Sequence, residues 1–173
     1  LCPRYTAISF DNIKIEQSPI WLKSFLVKSG IASINNVVDI TNYLSHLIGQ
    51  PLHAFDLDDI KYNKMTVKMA EEGEKFTTLD GVERTLTSDM LVIGNQDKTL
   101  DLAGIMGGEN SEIKDTTTSI FIEGASFAKE NIRATSKKLG LRTEASSRFE
   151  KGIDINLAEE AVNRACQLIE ELG

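Results

Sequence analysis

Apolar positions recur at helical spacing in the first fifty residues and change period in the middle of the chain. Tyr5-Thr6-Ala7-Ile8-Ser9-Phe10 has the composition of a strand. Ser18 then reads as an N-cap with Pro19 at the first helical position, and Ile20, Leu22, Phe25 and Leu26 give an apolar stripe that Gly30 stops. A second helix starts near Asn35 or Asn36. Val37, Ile40, Thr41, Leu44, Leu47 and Ile48 repeat at three and four, which predicts a buried face. Gly49 ends this helix and Pro51 prevents its continuation, so His53 falls in the turn that follows.

From residue 65 onward the period shortens. Met65-Thr66-Val67-Lys68-Met69 alternates like a half-buried strand, and Thr77 to Leu86 reads as a hairpin turning at Asp80-Gly81. Met90-Leu91-Val92-Ile93 and Ser119-Ile120-Phe121-Ile122-Glu123 are short apolar runs suited to strands covered on both faces. Helical character returns from Ala128 to Leu139, with Gly140 as its stop. A last helix starts near Asn156, with Ala158, Ala161, Val162, Ala165, Ile169 and Leu172 on its inner side. These elements predict an α+β fold, a mixed, largely antiparallel strand-rich centre flanked by helices, in one compact unit over residues 1–173.

Composition narrows the classes. With 173 residues, 41% of them apolar, the chain can bury one sizeable core or two small interwoven lobes. Nineteen cationic against twenty-six anionic side chains leave a net charge of −7, so the chain by itself is not an electrostatic grip for nucleic acid, although another domain can deliver one. No apolar run approaches the roughly 18 residues of a membrane span, and no signal-peptide pattern is present. The start at Leu1-Cys2-Pro3-Arg4, without Met, suggests a piece of a longer protein. Cys2 and Cys166 lie at opposite ends with no zinc spacing, as expected of reduced thiols in a cytoplasmic protein.

The candidate chemistry is sparse. His46 and His53 are separated by Gly49 and Pro51, and no HxxxH, HExxH or CxxC occurs, which argues against a metal site. The Gly-x-Ser-x-Gly elbow of serine hydrolases is missing as well. Gly104, Gly107 and Gly108 in Leu102-Ala103-Gly104-Ile105-Met106-Gly107-Gly108 form G-x-x-G-G, which is not a phosphate-binding loop. That segment is either a tight turn between strands or a turn whose amides meet a ligand oxygen. Glu123 closes an apolar run. It is either an exposed strand-end residue or a half-buried carboxylate that accepts a hydrogen bond from a substrate hydroxyl. A site of the second kind rejects an analogue without the hydroxyl by a factor on the order of 10⁴. Arg142-Thr143-Glu144-Ala145-Ser146-Ser147-Arg148-Phe149-Glu150 is either a solvated, salt-bridged turn or a pocket wall shaped by small side chains such as Ala145.

Four segments in order, NNVVDITNYL with GQPLHAFD, then TLDGVER, LAGIMGG and GLRTEASSRFEKGID, resemble the bacterial-type phenylalanyl-tRNA synthetase beta subunit in its editing region, its third and fourth structural modules. The resemblance covers nearly all of the chain. It implies two interwoven modules that clear tyrosine wrongly esterified to phenylalanine tRNA, by hydrolysing the ester after the acceptor end moves over from a synthetic site in the alpha subunit. The family's full enzyme is an α₂β₂ tetramer that uses ATP and magnesium, with no cofactor in this region. By likeness, His53 lies in the pocket as the catalytic candidate, Glu123 selects the tyrosine hydroxyl, and Gly107, Thr143 and Ala145 line the site. Asn42 is a contact to the terminal nucleotide or to His53. His53 either positions the attacking water or takes its proton. Two other classes stay open from the residues alone: a module that docks tRNA or a partner subunit without chemistry, and a free-standing hydrolase of small esters or D-amino-acid conjugates, which the start without Met disfavours.

Overall fold

In the computed structural model, residues 1–60, 64–95 and 97–173 are described. The strands are β1 (Arg4–Asp11), β2 (Leu52–Asp56), β3 (Thr66–Met69), β4 (Lys75–Thr77), β5 (Glu83–Thr85), β6 (Leu91–Gly94), β7 (Thr99–Leu102), β8 (Met106–Gly107) and β9 (Ser119–Ser126). The helices are α1 (Ile20–Lys28), α2 (Asn36–Ile48), α3 (Lys129–Leu139), α4 (Glu144–Phe149) and α5 (Leu157–Leu172). All strand pairings are antiparallel. They form a three-stranded sheet β1-β9-β2, a four-stranded sheet β3-β6-β7-β8 and the β4-β5 hairpin. The expected α+β class with an antiparallel centre holds.

The sheet β1-β9-β2 places the site. Its register sets Tyr5 opposite Ala125, Ala7 and His53 on either side of Glu123, and Phe55 opposite Phe121. Side chains alternate across a strand, so Ile120, Ile122 and Ala54 point to one face and Glu123, Ala125 and His53 to the other. The first face packs on α1, α2 and α5 through Leu22, Leu26, Ile40, Leu44, Ala165 and Leu168. The second face meets the four-stranded sheet, where Ala125 and Phe127 share a cluster with Val92, Leu102, Ile105, Ile132 and Phe149. β9 thus has apolar packing on both sides, as its composition predicted, and it runs three residues past Glu123.

The polar residues of the Asn35–Asn42 segment serve mainly as scaffold. Asn35 caps α2 by accepting from the Val38 amide, and Gly49 ends the helix in the left-handed region at φ 88°. Asn36 donates to the carbonyls of Lys14 and Leu172 and accepts from the Glu16 amide, tying three segments together. Asp39, fully buried, accepts from Ser18 Oγ at 2.6 Å, Ser33 Oγ at 2.5 Å and the Ile34 amide at 2.8 Å. These six bonds offset the cost of enclosing the Asp39 charge and the Asn36 amide.

Several expectations need correction. Ser18 is spent on Asp39 and gives α1 no side-chain cap; Pro19 stands at the cap position instead. Ile20 and Leu47 are 86% and 56% exposed, so the apolar stripes of α1 and α2 are wider than the face that gets covered. His53 is not in a turn but on β2, one residue into the strand. Gln50 sets that strand by donating from Nε2 to the carbonyls of Pro51 and Ala125. Finally, residues 144–149 form α4, with Thr143 and Ser146 making a reciprocal capping box, rather than a solvated turn.

Candidate functional site

Between the two sheets lies a small cavity of about 60 Å³ lined by residues from five separate segments: Pro51, Leu52 and His53; Asp101; Gly104 to Gly107; Glu123, Ala125 and Phe127; and Ala145 with Phe149. His53, Gly107, Glu123 and Ala145 therefore share one enclosure although 92 residues separate the first from the last. A much larger groove of about 560 Å³ runs along Glu74, Phe76, Lys98 and Asn110, but it is open and none of the sequence-derived candidates reaches it.

Glu123 is the centre of the site. It is only 4% exposed, in the middle of β9, and Oε2 has no hydrogen-bond partner. Asp101, on β7 and also 4% exposed, likewise leaves Oδ1 unpartnered. Burial raises the pKa of both carboxyls well above the carboxylate range, and the charge of Asp101 adds to the rise at Glu123. Two carboxylates in one dry space disfavour double ionisation, so the pair retains a proton at neutral pH. The Tyr5 hydroxyl sits beside Glu123 and eases its charge, yet Tyr5 Oη completes no hydrogen bond of normal geometry. Three buried oxygens without partners in one place are unusual, because such groups are nearly always satisfied in folded proteins.

His53 lines the same cavity, directly across the strand pair from Glu123. Its ring meets Phe55 edge-on at 4.5 Å between centroids. Burial pushes the imidazole down to about 4, and although the residue keeps some exposure it is neutral at pH 7. A base of that strength is poorly matched to proton abstraction near neutrality.

Gly107 is required by contact rather than by backbone angle. A Cβ there would stand 2.5 Å from His53 Cε1 and 2.7 Å from Nε2. The imidazole is held against Phe55 and has little freedom to retreat. Gly107→Ala is expected to destabilise the fold by roughly 1–3 kcal/mol, as overpacking does, and to displace His53. Urea denaturation, with the His53 ring followed by NMR, checks this; an unmoved ring and an unchanged midpoint would refute it. Asp101 and Gly107 face each other next to Leu100 and Gly108, whose Gly108 N–H to Leu100 carbonyl bond measures 2.8 Å, so the Gly107 N–H points away from β7.

Thr143 and Asn42 are outside the lining. Thr143 caps α4 and donates from Oγ1 to the Ile105 carbonyl at 2.8 Å, which fixes α4 to the glycine turn and so places Ala145. Asn42 is half-buried on α2. Sequence reasoning missed Asp101, Phe127, Phe149 and Tyr5. A signal for Asp101 existed, a lone carboxylate inside the strand-like run Thr99-Leu100-Asp101-Leu102. Among the described residues no group of three or more His, Cys, Asp or Glu is placed to hold a metal ion, and no helix is long and apolar enough to cross a membrane.

The B3/4 domain profile matches residues 1–173. The phenylalanine–tRNA ligase beta subunit of Clostridium acetobutylicum is 53% identical over 173 residues, and that of Dehalococcoides mccartyi 54% identical over 173, each covering all of the chain. The Staphylococcus aureus beta subunit is 52% identical over 168 residues, 97% of the chain. The chain spans only about a fifth of these relatives, 22%, 21% and 21% of their length respectively. Among solved structures, an N-terminal fragment of the phenylalanyl-tRNA synthetase beta subunit from Pyrococcus horikoshii superposes with a TM-score of 0.63 at 15% identity, over 99% of this chain and 46% of that one. At that identity the likeness is one of fold.

Proposed function

Because the chain belongs to the B3/4 domain family, we propose that it is the editing part of a phenylalanine–tRNA ligase beta subunit, hydrolysing the ester that joins misplaced tyrosine to phenylalanine tRNA. The observation that carries this reading is the unpartnered, 4% exposed Glu123 carboxyl, which lines one cavity together with Phe127, Phe149, Gly104 and Ala145. Flat apolar walls suit an aromatic ring, and the buried oxygen among them suits its hydroxyl.

Physical necessity supports the reading. A pocket that fits phenylalanine only weakly rejects an isostere with one added hydroxyl, so discrimination needs a second site that demands the hydroxyl. With phenylalanine in place, the buried carboxyl stays unpaired, at a cost of about 1–3 kcal/mol or more. Tyrosine relieves it. The phenol then points to Glu123 and the ester carbonyl lies near His53 and Gly107. Water oxygen adds to the carbonyl carbon, the bond to the ribose oxygen breaks, and the proton ends on the ribose hydroxyl. The Gly107 N–H holds the developing oxyanion. Neutral His53 accepts a hydrogen bond from the attacking water and orients it. The domain itself needs no cofactor; ATP and magnesium belong to aminoacylation in the full α₂β₂ enzyme, whose alpha subunit and tRNA are its partners.

The test is deacylation of tyrosyl- and phenylalanyl-tRNA by the intact ligase carrying this chain. Rapid release of tyrosine alone is expected. Equal stability of the two esters would turn the reading to a docking module for tRNA or the alpha subunit. His53→Ala is expected to lower the rate about tenfold, the worth of one water-positioning hydrogen bond of roughly 1–1.5 kcal/mol. Because His53 is already neutral above pH 5, the wild-type profile should show no imidazole limb between pH 6 and 8. A limb near 6.5 that vanishes in His53→Ala, with a loss of about 10³ or more, would make it a general base instead.

A further inference from the structure

We propose that Asp101 and Glu123 read the phenolic oxygen together, one donating to it as a carboxylic acid while the other, as a carboxylate, accepts its O–H. The inference rests on the editing reading and adds a second specificity-determining residue, on a different sheet, to the one that the resemblance supplies. Both side chains are 96% buried, both line the same cavity, and Asp101 Oδ1 and Glu123 Oε2 are each without a hydrogen bond. They arrive from independent elements, β7 and β9, so their meeting is a property of the packed sheets.

A hydroxyl has one proton to give and lone pairs to offer. A lone carboxylate satisfies only the proton. A carboxyl pair that keeps one proton satisfies both halves of the hydroxyl, and its own two free oxygens are satisfied in return. Burial and mutual repulsion hold that proton at neutral pH. The other ionisable groups facing the pair are Tyr5 on β1, Cys2 just before it and His53 on β2. Burial and the charge of Glu123 push Tyr5 far up and Cys2 up to about 11, and burial pushes His53 down to about 4. All three are therefore neutral between pH 6 and 9. No cation among the described residues supports full ionisation of the pair, since neither carboxyl is eased by a Lys or Arg.

The sign of the pH effect follows. Raising the pH removes the shared proton, leaves two acceptors and no donor for the phenolic oxygen, and weakens tyrosine selection. The experiment measures kcat/KM for tyrosyl- and phenylalanyl-tRNA deacylation from pH 6 to 9, on the intact ligase with wild-type chain, Asp101→Asn and Asp101→Ala. The wild-type ratio of the two should fall on the alkaline side. Asp101→Ala should lower the ratio about 3- to 10-fold at pH 7, the worth of one hydrogen bond between neutral groups. Asp101→Asn should keep most of the ratio, because its N–H₂ donates as the acid does, and should lose the alkaline fall. A purely structural Asp101 would change the yield of folded enzyme and leave the shape of the profile intact. Wild-type selectivity in Asp101→Ala, or an unaltered alkaline limb in Asp101→Asn, overturns the proposal. Wild-type enzyme that spares tyrosyl-tRNA overturns the editing reading itself.

Discussion

Ala145→Trp should abolish tyrosine clearance, lowering deacylation by at least about 100-fold, close to the uncatalysed rate. Ala145 stands on α4 opposite the glycine turn, and Phe149, one turn later on the same helix, lines the same space. The cavity is about 60 Å³, and an indole built from α4 fills it. Ala145 remains partly exposed, so the strain is expected to stay within the roughly 1–3 kcal/mol typical of overpacking, and the enzyme should still fold. Deacylation of tyrosyl-tRNA, run beside aminoacylation by the same preparation, separates the outcomes. Lost clearance with intact charging supports the site. Normal clearance would show that tyrosine enters elsewhere.

Glu123→Ala should erase selectivity rather than activity. A site that demands a hydroxyl discriminates by a factor on the order of 10⁴, and removing the demanding group should bring the ratio of tyrosyl to phenylalanyl hydrolysis toward unity. The variant should also be no less resistant to urea at pH 8 than the wild type, because it discards a buried, unpartnered carboxyl whose ionisation opposes folding. The sign is fixed by the raised pKa. The folded chain holds its proton more tightly than the unfolded one, so this group stabilises the fold at low pH, and that contribution is lost as the pH rises through the folded pKa. Selectivity lost without stability lost identifies a group kept for recognition. A sharp fall in urea midpoint, with selectivity retained, would assign Glu123 to the fold.

The parts of the fold legible in the sequence were those written locally. α2 announced both its ends, at Asn35 and Gly49, and α5 announced its inner face through five of the six positions read from its spacing, all but Leu172 being fully buried. β2 was not legible because Gly49 and Pro51 look like punctuation. What makes Leu52–Asp56 a strand is β9, which arrives some seventy residues later. α4 was overlooked for the opposite reason, since at six residues it is too short to show a period and only its Thr143–Ser146 cap marks it. For the site, spacing put His53 and the glycine turn under suspicion but could not join them, and it left Glu123 as an exposed strand end or a half-buried carboxylate. Burial of Glu123 depends on what covers the strand, and the cover includes Asp101, whose place in the run Thr99-Leu100-Asp101-Leu102 hints at burial but not at which partner it meets.

The order β1-β9-β2 has a consequence for the chain while it is being made. The first and second strands of that sheet emerge from the ribosome long before the strand that joins them, and in the finished sheet they never touch one another. Until residue 126 is out, each presents unpaired backbone edges, beside the apolar surface of α1 and α2, with nothing to zip against. Sequence separations of about 65 and more than 100 residues make closure a slow, late step. The stretch between β2 and β9 is therefore the interval in which a nascent chain most needs a chaperone, and a ribosome stalled there would release a product inclined to aggregate.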